Sequence, residues 1–158
     1  MEYRNLAAFE EIFSENLSYK DNRALIFHFL YLADSYGYDV DLAELIEKYS
    51  RDFRINLSQD NEILNVTLSM IQLRNEIDQK ILPFLSNWRF DRIGTITKLI
   101  LRIGVWDLEH SKIDHAMIIN GCIELGKCFS ERDAYKFING ILDEYHKAKI
   151  VVNQNHKS

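Results

Sequence analysis

Three features of the sequence predict an all-α fold. Apolar residues recur at intervals of three and four along nearly the whole chain, the period of one helix face. One proline and six glycines are spread over 158 residues, too few turn formers for the short loops of a sandwich or barrel. A content of 47% hydrophobic and 27% charged residues suits a packed core of ordinary domain size. The expected architecture is a compact bundle of about seven helices in two helical subdomains.

The elements follow in order. Leu6, Phe9, Phe13 and Leu17 form one stripe with Glu10, Glu11 and Glu15 off it, so residues 1–17 read as an N-terminal helical extension. From 22 to 36, Leu25, Phe29 and Leu32 make a ridge that Ile26, Phe27, Leu30 and Tyr31 thicken. That helix is apolar almost all round and should be central. Asp41 is placed to cap a short helix through Tyr49, and SRDFRINLS reads as a connection. Ser58 then opens a longer pattern of Ile63, Val66, Thr67, Met70, Leu73, Ile77 and Ile81, stopped at Pro83.

Trp88 and Phe90 lead into a helix with a wide apolar face: Ile93, Ile96, Leu99, Ile100, Ile103 and Leu108. Ile118, Ile119, Cys122, Ile123 and Leu125 continue the spacing, as do Phe137, Ile138, Ile141, Leu142 and Tyr145 after Ser130. The main domain is expected over 18–150, with 151–158 as a flexible tail.

Asn-Gly occurs twice, at 120–121 and 139–140, and between apolar residues this dipeptide is a strong hairpin signal because both residues tolerate positive φ. The flanks keep a helical period, without the alternation of two that strands need, so both pairs are assigned to helices. A glycine inside a helix costs about 1 kcal/mol against alanine. Close approach of a neighbouring helix is the expected compensation.

Composition and motifs exclude several classes. The N-terminus lacks an uninterrupted apolar run and carries Glu2, Glu10 and Glu11, unlike a secretory or transit signal, and no stretch has the length of a membrane span, so a cytoplasmic protein without membrane attachment is expected. Cys122 and Cys128 fit neither a disulfide framework nor a zinc site and read as buried thiols. The net charge of −5 does not advertise nucleic-acid binding, which would need a local patch.

Residues 121–128, GCIELGKC, match G-x-x-x-x-G-K but place Cys128 where a phosphate loop needs Ser or Thr for magnesium, and CIEL is apolar where open backbone is required. Lys127 reads as a surface cation. The five histidines show no ligand spacing, no nucleophile motif is present, and the carboxylates are scattered. Neither an enzyme nor a cofactor or metal is expected.

The segment NWRFDRIGTITKLILRIGVWDL, followed by IDHAMIINGCIELGKCFSERDAYKFINGILDEY, resembles the NusB family of bacterial transcription antitermination factors. The family's W-x-x-x-R-I/L, I/L-L-R-I/L-A, V-I-N-E-A-I-E-L-A-K and K-F-V-N-G-V-L-D segments correspond to Trp88 to Ile93, Ile100 to Gly104, Ile118 to Lys127 and Lys136 to Asp143. NRALIFHFLY matches the family's R-x-x-A-x-x-x-L-Y at Arg23, Leu30 and Tyr31. The chain departs at Gly121, where the family has Glu, near His115, where a proline is usual, and in YKDNR, where a basic run is thinned to Lys20 and Arg23.

The resemblance implies an adaptor that pairs with NusE, the ribosomal protein that doubles as an elongation factor. Together the two hold boxA-like single-stranded RNA in an RNA polymerase antitermination complex on ribosomal RNA operons. Single strands are gripped by cations on phosphates and aromatic faces under bases. Lys20 and Arg23, near a helix N-terminus, are the expected phosphate contacts, with Lys98 and Arg102 at i and i+4 extending the patch. Phe137 is either core or a face for RNA. Tyr31 and Asp133 are implied on the partner side, and an acid the family carries near Thr97 is missing. Two alternatives keep the fold: a module that binds only protein or self-associates into a homodimer through its N-terminal helix, and the accessory domain of a ribosomal RNA methyltransferase. The second fits less well, as no cofactor-binding domain accompanies the chain.

Overall fold

A computed structural model describes residues 17–52, 62–86 and 88–157. The helix expected over 6–17 lies outside them but for its last residue, as does the cap expected at Ser58. Seven α-helices are present among the described residues and no strand is. The chain divides into two compact units between Ile71 and Gln72, in keeping with the two subdomains expected.

In the N-terminal unit, α1 (Tyr19–Ser35) is followed by α2 (Leu42–Asp52) and α3 (Glu62–Gln72). Helix α1 buries Ile26 and Phe29 completely, as its nearly uninterrupted apolar surface demands. It stops because Gly37 takes a left-handed φ of 63°. The Tyr38 N–H then returns to the Ala33 carbonyl at 2.8 Å and the Gly37 N–H to that of Asp34 at 3.0 Å, satisfying acceptors that a helix end leaves open. Asp41 caps α2 as predicted: its Oδ1 accepts the Glu44 N–H at 3.2 Å. The rings of Phe29 and Tyr49 meet edge-on at 5.2 Å, and His28 lies 5.4 Å from Tyr49, so α1 and α2 pack through aromatic contacts. Burial pushes the His28 pKa below its ordinary value, consistent with a boundary histidine.

The C-terminal unit contains α4 (Arg74–Ile81), α5 (Thr95–His110), α6 (His115–Phe129) and α7 (Ala134–Asn155), with 3₁₀ turns at Leu82–Phe84 and Phe90–Arg92. The pattern expected to run unbroken to Pro83 is interrupted at Leu73, and Pro83 itself sits inside the first 3₁₀ turn, where a missing N–H costs little. Helix α5 is the centre of this unit and packs against α4, α6 and α7; it buries Leu99, Ile100, Leu101, Ile103 and Val105 to 1% exposure or less. Helix α7 continues through Val151 and Val152 to Asn155, so the flexible tail expected from 151 is mostly helical.

Both Asn-Gly pairs lie in helices, but the close approach expected at Gly140 falls at other glycines. A Cβ on Gly104 of α5 would lie 2.6 and 2.8 Å from the methyls of Leu142 and 3.1 Å from the Cys122 sulfur. One on Gly126 of α6 would meet Ile138 at 2.9 Å and the Tyr135 backbone at 3.3 Å. Gly140 faces open space instead, with nothing within 4 Å, and Asn120 and Asn139 are exposed. Residues 121–128 lie in the body of α6, so the phosphate-loop match is a helix segment. Cys122 is buried as expected; Cys128 is exposed, contrary to expectation, because it falls on the outer face of α6.

Three interactions fasten the far ends of α5 and α7. The Tyr145 hydroxyl donates to Glu109 Oε1, the Lys149 ammonium donates to the Leu108 carbonyl, and Lys149 lies 3.8 Å from Glu109 Oε2. Burial and the neighbouring carboxylate push the Tyr145 pKa well above its usual range.

Candidate nucleic-acid interface

The N-terminal unit places the expected residues at both ends of α1. Ser18 caps the helix: its Oγ accepts the Asp21 N–H at 3.2 Å and donates to Asp21 Oδ2 at 2.7 Å. A carboxylate in that first turn complements the helix dipole and lowers the potential offered to an incoming anion. Lys20 is exposed. Arg23 is not on open surface as expected: it is 5% exposed, donates from Nη1 to Asn22 Oδ1 at 2.6 Å, and stacks its guanidinium 5.0 Å from the Tyr19 ring centroid. It is an interior arginine, with its head engaged inside the protein. Tyr31 is exposed and follows Lys20 by eleven residues, about three turns and ~16 Å along the same face of α1.

The C-terminal unit brings together what the sequence spreads over fifty residues. The loop before α5 carries Trp88 and Phe90; the first turn of α5 carries Thr97 and Lys98; the start of α7 carries Asp133 and Phe137. Two contacts hold these pieces together. Trp88 and Phe137 meet with ring centroids 5.6 Å apart and planes tilted by 57°. The hydroxyls of Thr97 and Ser130 share a hydrogen bond of 2.6 Å, which ties α5 to the α6–α7 connection. Thr97 thus has a partner within the fold.

Cations outnumber carboxylates around this junction. Arg92, Lys127, Arg132 and Lys136 are exposed, and the Lys98 ammonium lies 4.7 Å from the Phe90 ring centroid. Asp91 engages Arg89 through two hydrogen bonds of 2.9 and 3.2 Å, and Asp133 lies 3.6 Å from Lys136. Helix α5 starts at Gly94 with no side-chain cap and no acid in its first turn, leaving positive backbone potential there, which Glu131 beside Gly94 partly offsets. A positive, aromatic surface in an acidic chain is suited to polyanions with flat, apolar bases.

Arg102, expected beside Lys98, is paired within the fold. Its guanidinium grips Asp78 of α4 through two bonds of 2.7 and 2.8 Å, with both side chains about 15% exposed. The spacing from Lys98 is that of one helix face, but α5 is packed on several sides, so a position one turn further in meets α4 instead of solvent. Asp133 is the N-cap residue of α7, not a member of its first turn, and holds a left-handed φ of 67° with no side-chain cap bond. Its carboxylate is exposed.

Sequence reasoning passed over Trp88 as a site residue. It is 64% exposed, the most open large hydrophobic among the described residues. The signal was available: an aromatic next to Arg89 and Phe90, outside the helical stripe that starts at Ile93.

A model of the NusB family matches residues 20–147. The transcription antitermination protein NusB of Helicobacter pylori (strain Shi470) is 40% identical over 84 residues, which cover 53% of this chain and 61% of that protein. The aligned stretch therefore spans about three fifths of that curated relative's length. The fold is similar to a chain in a crystal structure of the antitermination factors NusB and NusE in complex with dsRNA, with a TM-score of 0.68, 27% identity, and 82% of this chain and 96% of that one covered. It is also similar to a chain in the crystal structure of a plectonemic RNA supercoil, with a TM-score of 0.71, 28% identity, and 83% and 95% covered.

Proposed function

The chain belongs to the NusB family, and from that premise we propose that it is a transcription antitermination factor. In this reading it holds boxA-like single-stranded RNA jointly with a NusE-type ribosomal protein and promotes transcription of ribosomal RNA operons. The observation that carries the proposal is the set of aromatic contacts at the start of α5 and α7, Lys98 over Phe90 and Trp88 against Phe137, in a chain that the family model matches over most of its length. The solved relative in complex with NusE and dsRNA supports a NusE-type partner and RNA as the class of ligand; the single-stranded form follows from the exposed aromatic and cationic side chains.

Lys20, Lys98 and Phe137 are the residues we assign to RNA; Tyr31 and Asp133 are assigned to the protein partner. Arg23 and Arg102 are assigned to the folded interior, where their heads are engaged. The interior placement of Arg23, in a chain of net charge −5, reduces the phosphate contacts that the isolated protein offers. RNA binding by this chain alone is then weak and salt-sensitive, and the partner supplies the rest.

Anisotropy of a fluorescein-labelled boxA single strand, titrated with each protein alone and with both, tests the proposal. Coupled sites of this kind strengthen each other by about 1 to 3 kcal/mol, and linkage requires RNA to tighten the protein pair equally. No gain on adding the partner defeats the adaptor reading and favours a module that binds only protein. That second reading draws on the same scarcity of open cations at α1.

A further inference from the structure

Trp88 is left open in a way that packing alone does not explain. Burial of an indole's large apolar surface stabilises a fold, yet this one remains 64% exposed, whereas Trp106 is 8% exposed. It is not a loose side chain: its ring lies against Phe137, and its backbone N–H donates to the Leu85 carbonyl at 2.8 Å. One side of the indole is therefore held by Phe137 while much of the remainder meets solvent. Cations follow it closely in sequence: Arg92 is exposed four residues on, and Phe90, two residues on, has the Lys98 ammonium 4.7 Å from its ring centroid.

A fixed, open aromatic face with cations nearby and few carboxylates is the arrangement that takes an unpaired base by stacking while adjoining phosphates meet the charges. We propose that Trp88 is a base-stacking residue for single-stranded RNA, with Phe137 as its backing and Lys98 and Arg92 on the flanking phosphates. The inference rests on the RNA reading above and adds to it a residue and a mode of contact. Stacking of this kind tolerates any base, so Trp88 contributes affinity and register along the strand more than sequence choice.

The test is anisotropy with the same labelled boxA strand, with and without the NusE-type partner, for the wild type, Trp88→Ala and Trp88→Phe. An exposed side chain can be removed with little change in thermal stability, which a melting curve checks. Trp88→Ala is expected to weaken RNA binding about 5- to 150-fold, the range for one stacked base, and Trp88→Phe to recover most of it. A strand carrying one abasic position in the register of Trp88 should bind the wild type and Trp88→Ala equally. Equal affinity of wild type and Trp88→Ala for the intact strand overturns this inference and leaves the RNA reading standing. A weakening confined to the protein partner overturns it in favour of a protein anchor. No RNA binding by the wild type, alone or with partner, overturns both.

Discussion

Arg102 and Asp78 join α5 to α4 through a two-pronged ion pair, Nε to Oδ1 at 2.7 Å and the second nitrogen to Oδ2 at 2.8 Å, with side chains 14% and 15% exposed. Removing one partner leaves the other charge in a poorly solvated position. Arg102→Ala or Asp78→Ala should each lower unfolding stability by about 3 kcal/mol in denaturant titrations. The double replacement by apolar residues of similar volume should recover most of that stability. If either single variant unfolds like the wild type, the pair is not structural.

The same geometry separates Arg102 from Lys98. Removing a cation that neutralises one phosphate of single-stranded RNA should reduce the log–log salt slope of binding by about 0.7. Lys98→Ala is expected to show that reduction, and Arg102→Lys, which keeps the charge but not the fork, to show none. A reduced slope for Arg102→Lys would return that residue to the RNA surface.

Two glycines predict opposite outcomes for one substitution. Gly104→Ala pushes a methyl against Leu142, which is itself completely buried and has little room to move. It should cost about 1 to 3 kcal/mol by overpacking. Gly140→Ala meets nothing within 4 Å and should raise stability by about 1 kcal/mol through helix propensity alone. Thermal melts of the two variants decide, and a destabilised Gly140→Ala would contradict the open face.

His146 stacks on His115 with centroids 4.0 Å apart and planes 12° from parallel, joining α7 to the start of α6. Partial burial, His115 and Lys149 lower the His146 pKa below 6.5, against the opposite pull of Asp143 and Asp114. A lowered folded pKa means that the unfolded chain binds the proton more readily. The stability this site contributes is therefore full above the unfolded value of 6.5 and is lost as pH falls through the folded value. Melting temperature should fall between about pH 7.5 and about pH 5.5, with His28 contributing in the same direction, and His146→Gln should fall less steeply. Parallel curves for the two proteins would remove His146 from the account.

The sequence by itself determined the helices and their apolar faces, because a period of three to four is a local property that survives any arrangement of the elements. Asp41 as a cap and the helical placement of both Asn-Gly pairs follow from the same local rules. Only the tertiary structure decided which charges face water. Lys98 and Arg102 share a helix face in sequence, yet one lies against an aromatic ring at a helix end while the other meets Asp78, twenty-four residues away. Arg23 sits at the polar start of a helix and is nonetheless covered. The glycines at helix crossings are Gly104 and Gly126, not Gly140, because a crossing is chosen by the partner helix. Trp88 and Phe137 are forty-nine residues apart and meet because α7 begins beside the loop before α5. Such encounters depend on non-local packing, and no period or motif within one element encodes them.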